Sequence, residues 1–404
     1  MKPREYYLND LKKFYSFYVP KKARVALLST EQNLKPAKFD YIILNNSIGI
    51  SKDVQTFLNR IKRNSNEKTR VIITYYNYLW EPVLELATFM GWRNRTVDQN
   101  WLDTEDIKNI LEISGYELIS KQRRFLIPIY IPFISNFINR WIAPLPIINN
   151  LCLSICLIAR LKPIRKKEYS VSIVIPARNE EGNIGKIIPS IPKFGKSQEI
   201  IFIEGHSTDK TWDKIKNETE TRKNVIALNQ KGVGKADAVR LGFSKAGGDV
   251  LIIYDADRTV EAKDLLKFYE CLSTGMGEFA NGSRLVYPME KDAMGMLNKI
   301  GNIGFSKLFT WILKQRFKDT LCGTKAFFRR DYEKILKVHK GFGHIDPFGD
   351  FDLIFGAAKL NLKVIEIPVR YKSRVYGSTN IQRFKNGLQL TNMVWIAFKK
   401  FNIV

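Results

Sequence analysis

Between Ser170 and Asp257 short apolar runs recur, and most lead through a polar loop into a helical stretch. SVSIVIP precedes NEEGNIGKII, EIIFIEG precedes the helix beginning near Thr211, NVIALNQ precedes the helix beginning near Lys235, and GDVLIIY runs into Asp-Ala-Asp. A strand that is apolar at nearly every position is buried on both faces. Strands of this kind alternating with helices give a mostly parallel sheet with helices on both sides. Ligands of such sheets gather where the strand C-termini and their loops converge. The expected class is therefore α/β.

The 404 residues exceed what one core usually holds, so two or three domains are expected. A formal net charge of +25 draws anionic partners: nucleic acid, acidic lipid or phosphorylated small molecules. Nucleic acid is not favoured, because no recognition motif with interleaved aromatics is present. The four cysteines have neither framework nor metal spacing, which fits a reducing compartment. Three histidines outside any ligand pattern argue against zinc. The opening MKPREYYLND lacks an apolar h-region, so no signal peptide is expected.

Texture divides the chain into residues 1–124, 125–168 and 169–404. The first zone reads as a small α/β unit, with strands over Arg24–Leu28, Phe39–Leu44 and Arg70–Tyr76 and helices over Lys52–Arg63 and Thr104–Ser114. Asp103 or Thr104 starts the last helix and Gly115 stops it. The second zone is strongly apolar but cut by Pro128, Pro132, Pro144 and Pro146. Its longest uninterrupted stretch predicts a helix over Ile147–Ala159, about 20 Å long and too short for a ~30 Å hydrocarbon core. Arg160, Lys162, Arg165, Lys166 and Lys167 follow at once. An apolar helix beside such a cluster suits the interface of an anionic membrane, and the alternative is a hydrophobic brace with a solvated basic linker.

The chemistry is expected at Asp255-Ala256-Asp257. Two carboxylates ending a buried strand repel each other and are costly to desolvate. A divalent cation removes that penalty, and a hard-oxygen site suits Mg²⁺ or Mn²⁺ bridging a diphosphate. The tripeptide alone is equally a pair of solvated loop acids. Its context is more specific: SIVIPARNEEGNI, EIIFIEGHSTDKT and KGVGKADAVRLGFSKAGGDVLIIYDAD, followed by NGSRLV, DTLCGTKAFFRRD, FGDFDLIFGAAK and IPVRYKSRVYGSTN. In order and spacing these blocks resemble the family 2 glycosyltransferases, and within them the dolichyl- or polyprenyl-phosphate sugar transferases.

That resemblance implies a nucleotide-diphospho-sugar transferase (GT-A-type) fold over residues 169–404. It puts Pro176, Arg178 and Glu180 at the nucleotide base and ribose. Glu204 stands at the first position of the family's acidic pair after the second strand, with Gly205 at the second. Asp209 and Thr211 match a turn that caps the following helix. Lys235, after Gly232 and Gly234, is expected on donor phosphate. Asp257 is the expected direct metal ligand, with Asp255 on ribose or metal. Arg284 is expected on phosphates and Arg374 matches the arginine of an R-x-x-G segment, in which Thr379 and Asn380 replace a frequent Ser-Lys. Asp350 and Asp352 fall at the acceptor-side acids, where Asp352 is the candidate general base for a hydroxyl acceptor. A phosphate acceptor is already an anion and needs no base.

The expected reaction is an inverting displacement at the anomeric carbon. A nucleotide sugar is the donor, a lipid phosphate the acceptor and an anionic membrane surface the setting, peripheral and on the cytoplasmic side. A glycan or other soluble hydroxyl acceptor is the alternative.

KKARVALLST, followed by FDYIILNNSIGISKDVQTFLNRIKRNSNEKTRVIITYYN, resembles the two ends of a class I methyltransferase. In that family the first strand leads into a glycine-rich loop that holds S-adenosylmethionine. Here the loop is Ser29-Thr30-Glu31-Gln32-Asn33, without glycine. The expectation for residues 1–124 is a shortened, Rossmann-like domain that binds no S-adenosylmethionine and serves as scaffold or interaction module.

Overall fold

In a computed structural model the described residues are 3–31, 34, 36–94, 99–164, 166–290, 293–339, 349–377 and 383–402. The chain divides into two compact units, Met1–Pro163 with Phe398–Val404, and Ile164–Ala397.

The first unit comprises α1 (Pro3–Tyr18), β1 (Val25–Leu28), β2 (Tyr41–Asn45), α2 (Val54–Lys62), β3 (Arg70–Tyr76), α3 (Glu81–Phe89), α4 (Thr104–Ile113), β4 (Tyr116–Arg124), α5 (Ile134–Phe137) and β5 (Ser154–Leu161). Its sheet runs β1-β2-β3-β5-β4, with the first three strands parallel and β5 antiparallel to both neighbours. Local signals set the helix starts. Asp53 caps α2 through Thr56 N at 2.9 Å, and Asp103 and Asp106 form a reciprocal capping box on α4. Gly115, at φ 79°, supplies the left-handed stop that ends α4 before β4.

The helix expected over Ile147–Ala159 is not formed. A 3₁₀ turn at Ile148–Leu151 leads instead into β5, an inner strand of this sheet. Ile155, Leu157 and Ala159 face the core with α2 and α4, while Cys156 and Ile158 face the core with α1. Burial on both faces makes the run continuously apolar, a pattern periodicity cannot distinguish from a buried helix. The basic cluster changes meaning too. Arg160 is 2% exposed and pairs with Glu117 at 2.7 Å, so it is a structural cation. Arg165 lies outside the described residues. The first unit therefore extends to Pro163, and residues 125–163 are part of it rather than a separate linker.

The second unit comprises β6 (Val171–Ala177), α6 (Glu181–Ser190), β7 (Gln198–Glu204), α7 (Thr211–Thr221), β8 (Val225–Asn229), α8 (Lys235–Lys245), β9 (Val250–Ile253), α9 (Leu265–Ser273), β10 (Phe279–Ser283), α10 (Met296–Leu313), β11 (Lys325–Phe328), α11 (Arg329–His339), α12 (Phe351–Lys359), β12 (Val364–Pro368) and the start of α13 (Arg383–Asn402). The sheet order is β12-β10-β11-β9-β6-β7-β8. Only β11 is antiparallel to its neighbours. Alternate residues of each strand feed two cores. Ile173, Ile175, Phe202 and Ile252 pack with α6 and α9. Val174, Ile201, Ile203 and Leu251 pack with α8 and α12. This is the mostly parallel, two-sided α/β sheet expected from the sequence.

The last residues of α13 count with the first unit, where Phe401 lies 5.5 Å from Phe17 and Phe398 lies 5.8 Å from Trp141, ring centre to ring centre.

Candidate functional site

β6, β7 and β9 run parallel, so their C-terminal ends open on one edge of the sheet. Each strand delivers acids there because its apolar run stops and a polar loop begins. β6 leads through Pro176 and Arg178 to Glu180, β7 ends in Glu204, and β9 leads to Asp255 and Asp257.

Each acid of the Asp-Ala-Asp turn has its own cation. Lys235, the first residue of α8, lies 2.5 Å from Asp255. Burial disfavours the charged forms of both, yet their mutual attraction wins, holding the Asp255 carboxyl below and the Lys235 amine above their ordinary values. Arg374 spans two acids, with Nη2 donating to Asp257 Oδ2 at 2.8 Å and Nη1 to Glu180 Oε1 at 3.2 Å. Asp257 is also fixed by the amide and hydroxyl of Thr259, at 3.1 and 2.9 Å. Arg258 between the two acids and Thr259 takes a left-handed backbone, φ 56°.

Glu180 is 5% exposed and accepts from Asn183 Nδ2 at 2.6 Å. Burial raises its pKa, and the bonds from Asn183 and Arg374 oppose that rise without cancelling it. Glu204 accepts from Ser207 N at 2.5 Å, so its carboxylate stiffens the loop after β7. Asp209 accepts from the amide and hydroxyl of Thr211 at 3.0 and 2.5 Å and from Glu181 N at 3.2 Å, the turn-capping role expected of it. Tyr376 donates to Asp209 at 3.4 Å, and a Cβ at Gly182 would meet the Tyr376 ring at 2.6 Å. The segment carrying Arg374 and Tyr376 therefore crosses the mouth formed by β6 and β7. Thr379 and Asn380 beyond it lie outside the described residues.

Arg284 is held differently from its expected role. Its Nε and Nη2 donate to the two oxygens of Asp319 at 2.7 and 2.9 Å, and Asp319 has no exposed surface. This fork commits two donor groups of the guanidinium to a structural carboxylate, and the Tyr371 ring lies 5.0 Å from its centre. The acceptor-side acids also separate. Asp350 pairs with the buried Lys325 at 2.9 Å, while Asp352 pairs with Arg240 at 3.6 Å. Asp350 joins the charges around Lys235, and Asp352 faces the Arg240 side of α8.

Sequence reasoning passed over Asp319, Lys325, Gly323 and Tyr376. The signal for Lys325 was a lone cation opening the apolar strand KAFF. Gly323 matters by its missing side chain, since a Cβ there would collide with Lys235 Nζ and Asp255 Oδ2. The backbone at Gly323 is thus an open cradle against this ion pair.

The donor set fits Mg²⁺ or Mn²⁺ in one way. Asp255 and Asp257 offer hard carboxylate oxygens one residue apart. Among the described residues no three His, Cys, Asp or Glu side chains gather into a cage. A cation held by these two acids would need its remaining ligands from water or a bound anion, as Mg²⁺ commonly does in phosphoryl sites.

Comparison with known proteins finds relatives named as glycosyltransferases. Glycosyltransferase AglJ of Haloferax volcanii is 29% identical over 220 residues, 54% of this chain and 68% of that one. Dolichyl-phosphate beta-glucosyltransferase ALG5A of Trichomonas vaginalis is 27% identical over 216 residues, 50% of this chain and 65% of that one. Dolichol-phosphate mannosyltransferase of Pyrococcus furiosus is 26% identical over 215 residues, 52% of this chain and 59% of that one. Residues 172–336, which carry the Asp-Ala-Asp turn, Lys235, Arg284 and Lys325, match Glycosyl transferase family 2.

Proposed function

We propose that this chain moves a hexosyl group from a nucleoside diphosphate sugar to the phosphate of a polyprenyl or dolichyl lipid, with inversion at the anomeric carbon. The names of two relatives support the acceptor class. The observation that carries the reading is the state of the acceptor-side acids. Asp350 is committed to Lys325 and Asp352 to Arg240, so neither is set up as an unpaired base for a hydroxyl. A phosphate acceptor needs no deprotonation at neutral pH, and this arrangement suits it.

In this reading Pro176, Arg178 and Glu180 border the nucleoside, and Glu204 stiffens the loop beside it. Asp255 and Asp257 hold Mg²⁺ or Mn²⁺, which when bound supplies charge neutralisation for the departing diphosphate. Lys235 and Arg374 supply fixed positive charge at the same turn. Charges already in place stabilise a developing anion without reorganising at the moment of reaction. Arg284 acts by positioning: its fork to Asp319 locks β10 against the loop before β11 and so sets the height of Gly323 beneath the ion pair.

Residues 1–163 serve as a methyltransferase-like scaffold without cofactor. Parallel β1-β2-β3 with α2 leading into β3 supports that descent. The occupation of Glu31 by the Lys52 amide at 2.9 Å and the Ser51 hydroxyl supports loss of the cofactor loop. The chain works peripherally, at the cytoplasmic face of an anionic membrane.

The test is a donor screen on purified full-length protein with Mg²⁺ or Mn²⁺, scoring nucleoside diphosphate release. Release should rise when polyprenyl phosphate is added. Stimulation by a soluble glycan instead of the lipid phosphate would overturn the acceptor assignment.

A further inference from the structure

The segment between β4 and β5, residues 125–153, is built inside out. Three of its polar side chains, Ser135, Asn139 and Asn149, turn inward onto backbone. Asn139 accepts from Ile127 N at 2.9 Å and donates to Ile127 O at 3.0 Å. Ser135, with no exposed surface, accepts from Ile131 N at 2.9 Å and donates to Ile129 O at 2.7 Å. Asn149 donates to Arg123 O and Ala143 O, at 2.8 and 3.0 Å. From below, Asn77 donates to Asn150 O and Cys152 O, both at 2.9 Å, and Trp80 Nε1 donates to Leu151 O at 2.8 Å.

The apolar side chains face the other way. Phe133 is 90% exposed, Ile147 83%, Ile129 58%, Phe137 57% and Ile134 52%. Phe133 and Ile147 also sit at φ 61° and 72°, a left-handed backbone that bulky residues adopt only when the surrounding fold imposes it. Both strained positions lift a large apolar side chain out of the fold. Between Phe125 and Ala159 there is no acid, and Arg140 is the single charge.

We infer that this face is a monotopic lipid-contact surface, and that its occupant is the interfacial region of a phospholipid bilayer. Hydrocarbon cannot hydrogen-bond a stray amide, so a segment entering it must satisfy its backbone internally and present carbon outward. In residues 127–151 side chains of the segment itself bond the backbone of Ile127, Ile129 and Ile131, and large apolar side chains point outward, without a long helix. A protein partner offers polar atoms and gains from polar atoms in return, whereas the outward side chains here, Arg140 and Asn150 apart, are apolar. Positive net charge matches an anionic leaflet, and Arg140, the one charge of the segment, is exposed and so available to headgroups. No described helix is long and apolar enough to cross a membrane, so the contact is a surface insertion. The inference deepens the lipid-acceptor reading but does not depend on it, because binding is measured with neither donor nor acceptor present.

The experiment is flotation of the full chain with phosphatidylcholine vesicles, with and without phosphatidylglycerol. Wild type should float, more so with phosphatidylglycerol, and retain part of its binding in high salt because the apolar term is not screened. Phe133→Asp/Ile147→Asp should lower partitioning by at least about tenfold. Leu27→Asp, at a 59% exposed site on β1, should leave it unchanged. Unchanged melting of both variants, followed by circular dichroism, excludes misfolding. Flotation of the double variant like wild type overturns the inference. So does wild type that stays in the aqueous fraction at every composition. Light scattering that shows the double variant dissociating a dimer, with no vesicle binding by wild type, assigns the face to a second copy instead.

Discussion

Lys325 Nζ has no exposed surface and lies 2.9 Å from Asp350 Oδ1, a buried ion pair joining β11 to the start of α12. Removing one partner strands the other charge in a low-dielectric setting. Lys325→Met should therefore cost about 3–5 kcal/mol of stability. Lys325→Met/Asp350→Leu, which removes both charges, should recover most of that loss. Urea unfolding of the three proteins checks this, and a single variant as stable as wild type would refute it.

Asp257 bonds to Arg374 and Thr259 at the end of the sheet, so its loss should leave the fold intact. Asp257→Ala should lower turnover by at least about 100-fold while the thermal midpoint stays close to wild type. Assays on metal-stripped protein, with Mg²⁺ or Mn²⁺ added back, separate the effects. Wild-type turnover in this variant would falsify the metal assignment.

At Gly323 the prediction rests on a distance. The added methyl of Gly323→Ala meets the ends of Lys235 and Asp255, which swing aside without disturbing the backbone. The protein should fold normally and lose about tenfold or more in kcat/KM, because a displaced ion pair no longer holds its productive geometry. Steady-state kinetics unchanged from wild type would show that the cradle is unused.

Titration calorimetry of the full chain with S-adenosylmethionine should give no binding heat. Glu31, the acid within the expected cofactor loop, is already engaged by Ser51 and Lys52 at the entrance to α2. Micromolar binding would mean the first unit keeps a cofactor site built from other residues.

Much of the second unit was readable in the sequence because its strands are short, apolar and punctuated by loops rich in acid and glycine. Asp255 and Asp257 follow from a strand end, Glu180 and Lys235 from the family resemblance, and the fold brings them to one sheet edge. Partner choice was harder. That Arg284 would spend its fork on Asp319, or Asp350 its charge on Lys325, depends on contacts separated by 35 and 25 positions. Local pattern says nothing about such pairs. Ser154–Leu161 misled for another reason: burial on both faces erases the alternation that identifies a strand. The apolar zone before it drew attention through its prolines, but what marks it is the direction in which Asn139, Ser135 and Asn149 point, and sequence carries no direction.

Because Phe398 and Phe401 pack on Trp141 and Phe17, the first unit is assembled from the two extremes of the sequence. A ribosome delivers its closing helical turns only after the whole of residues 164–397 has been made. The surface of the first unit that Phe398 and Phe401 cover therefore stays open until that late segment has been made.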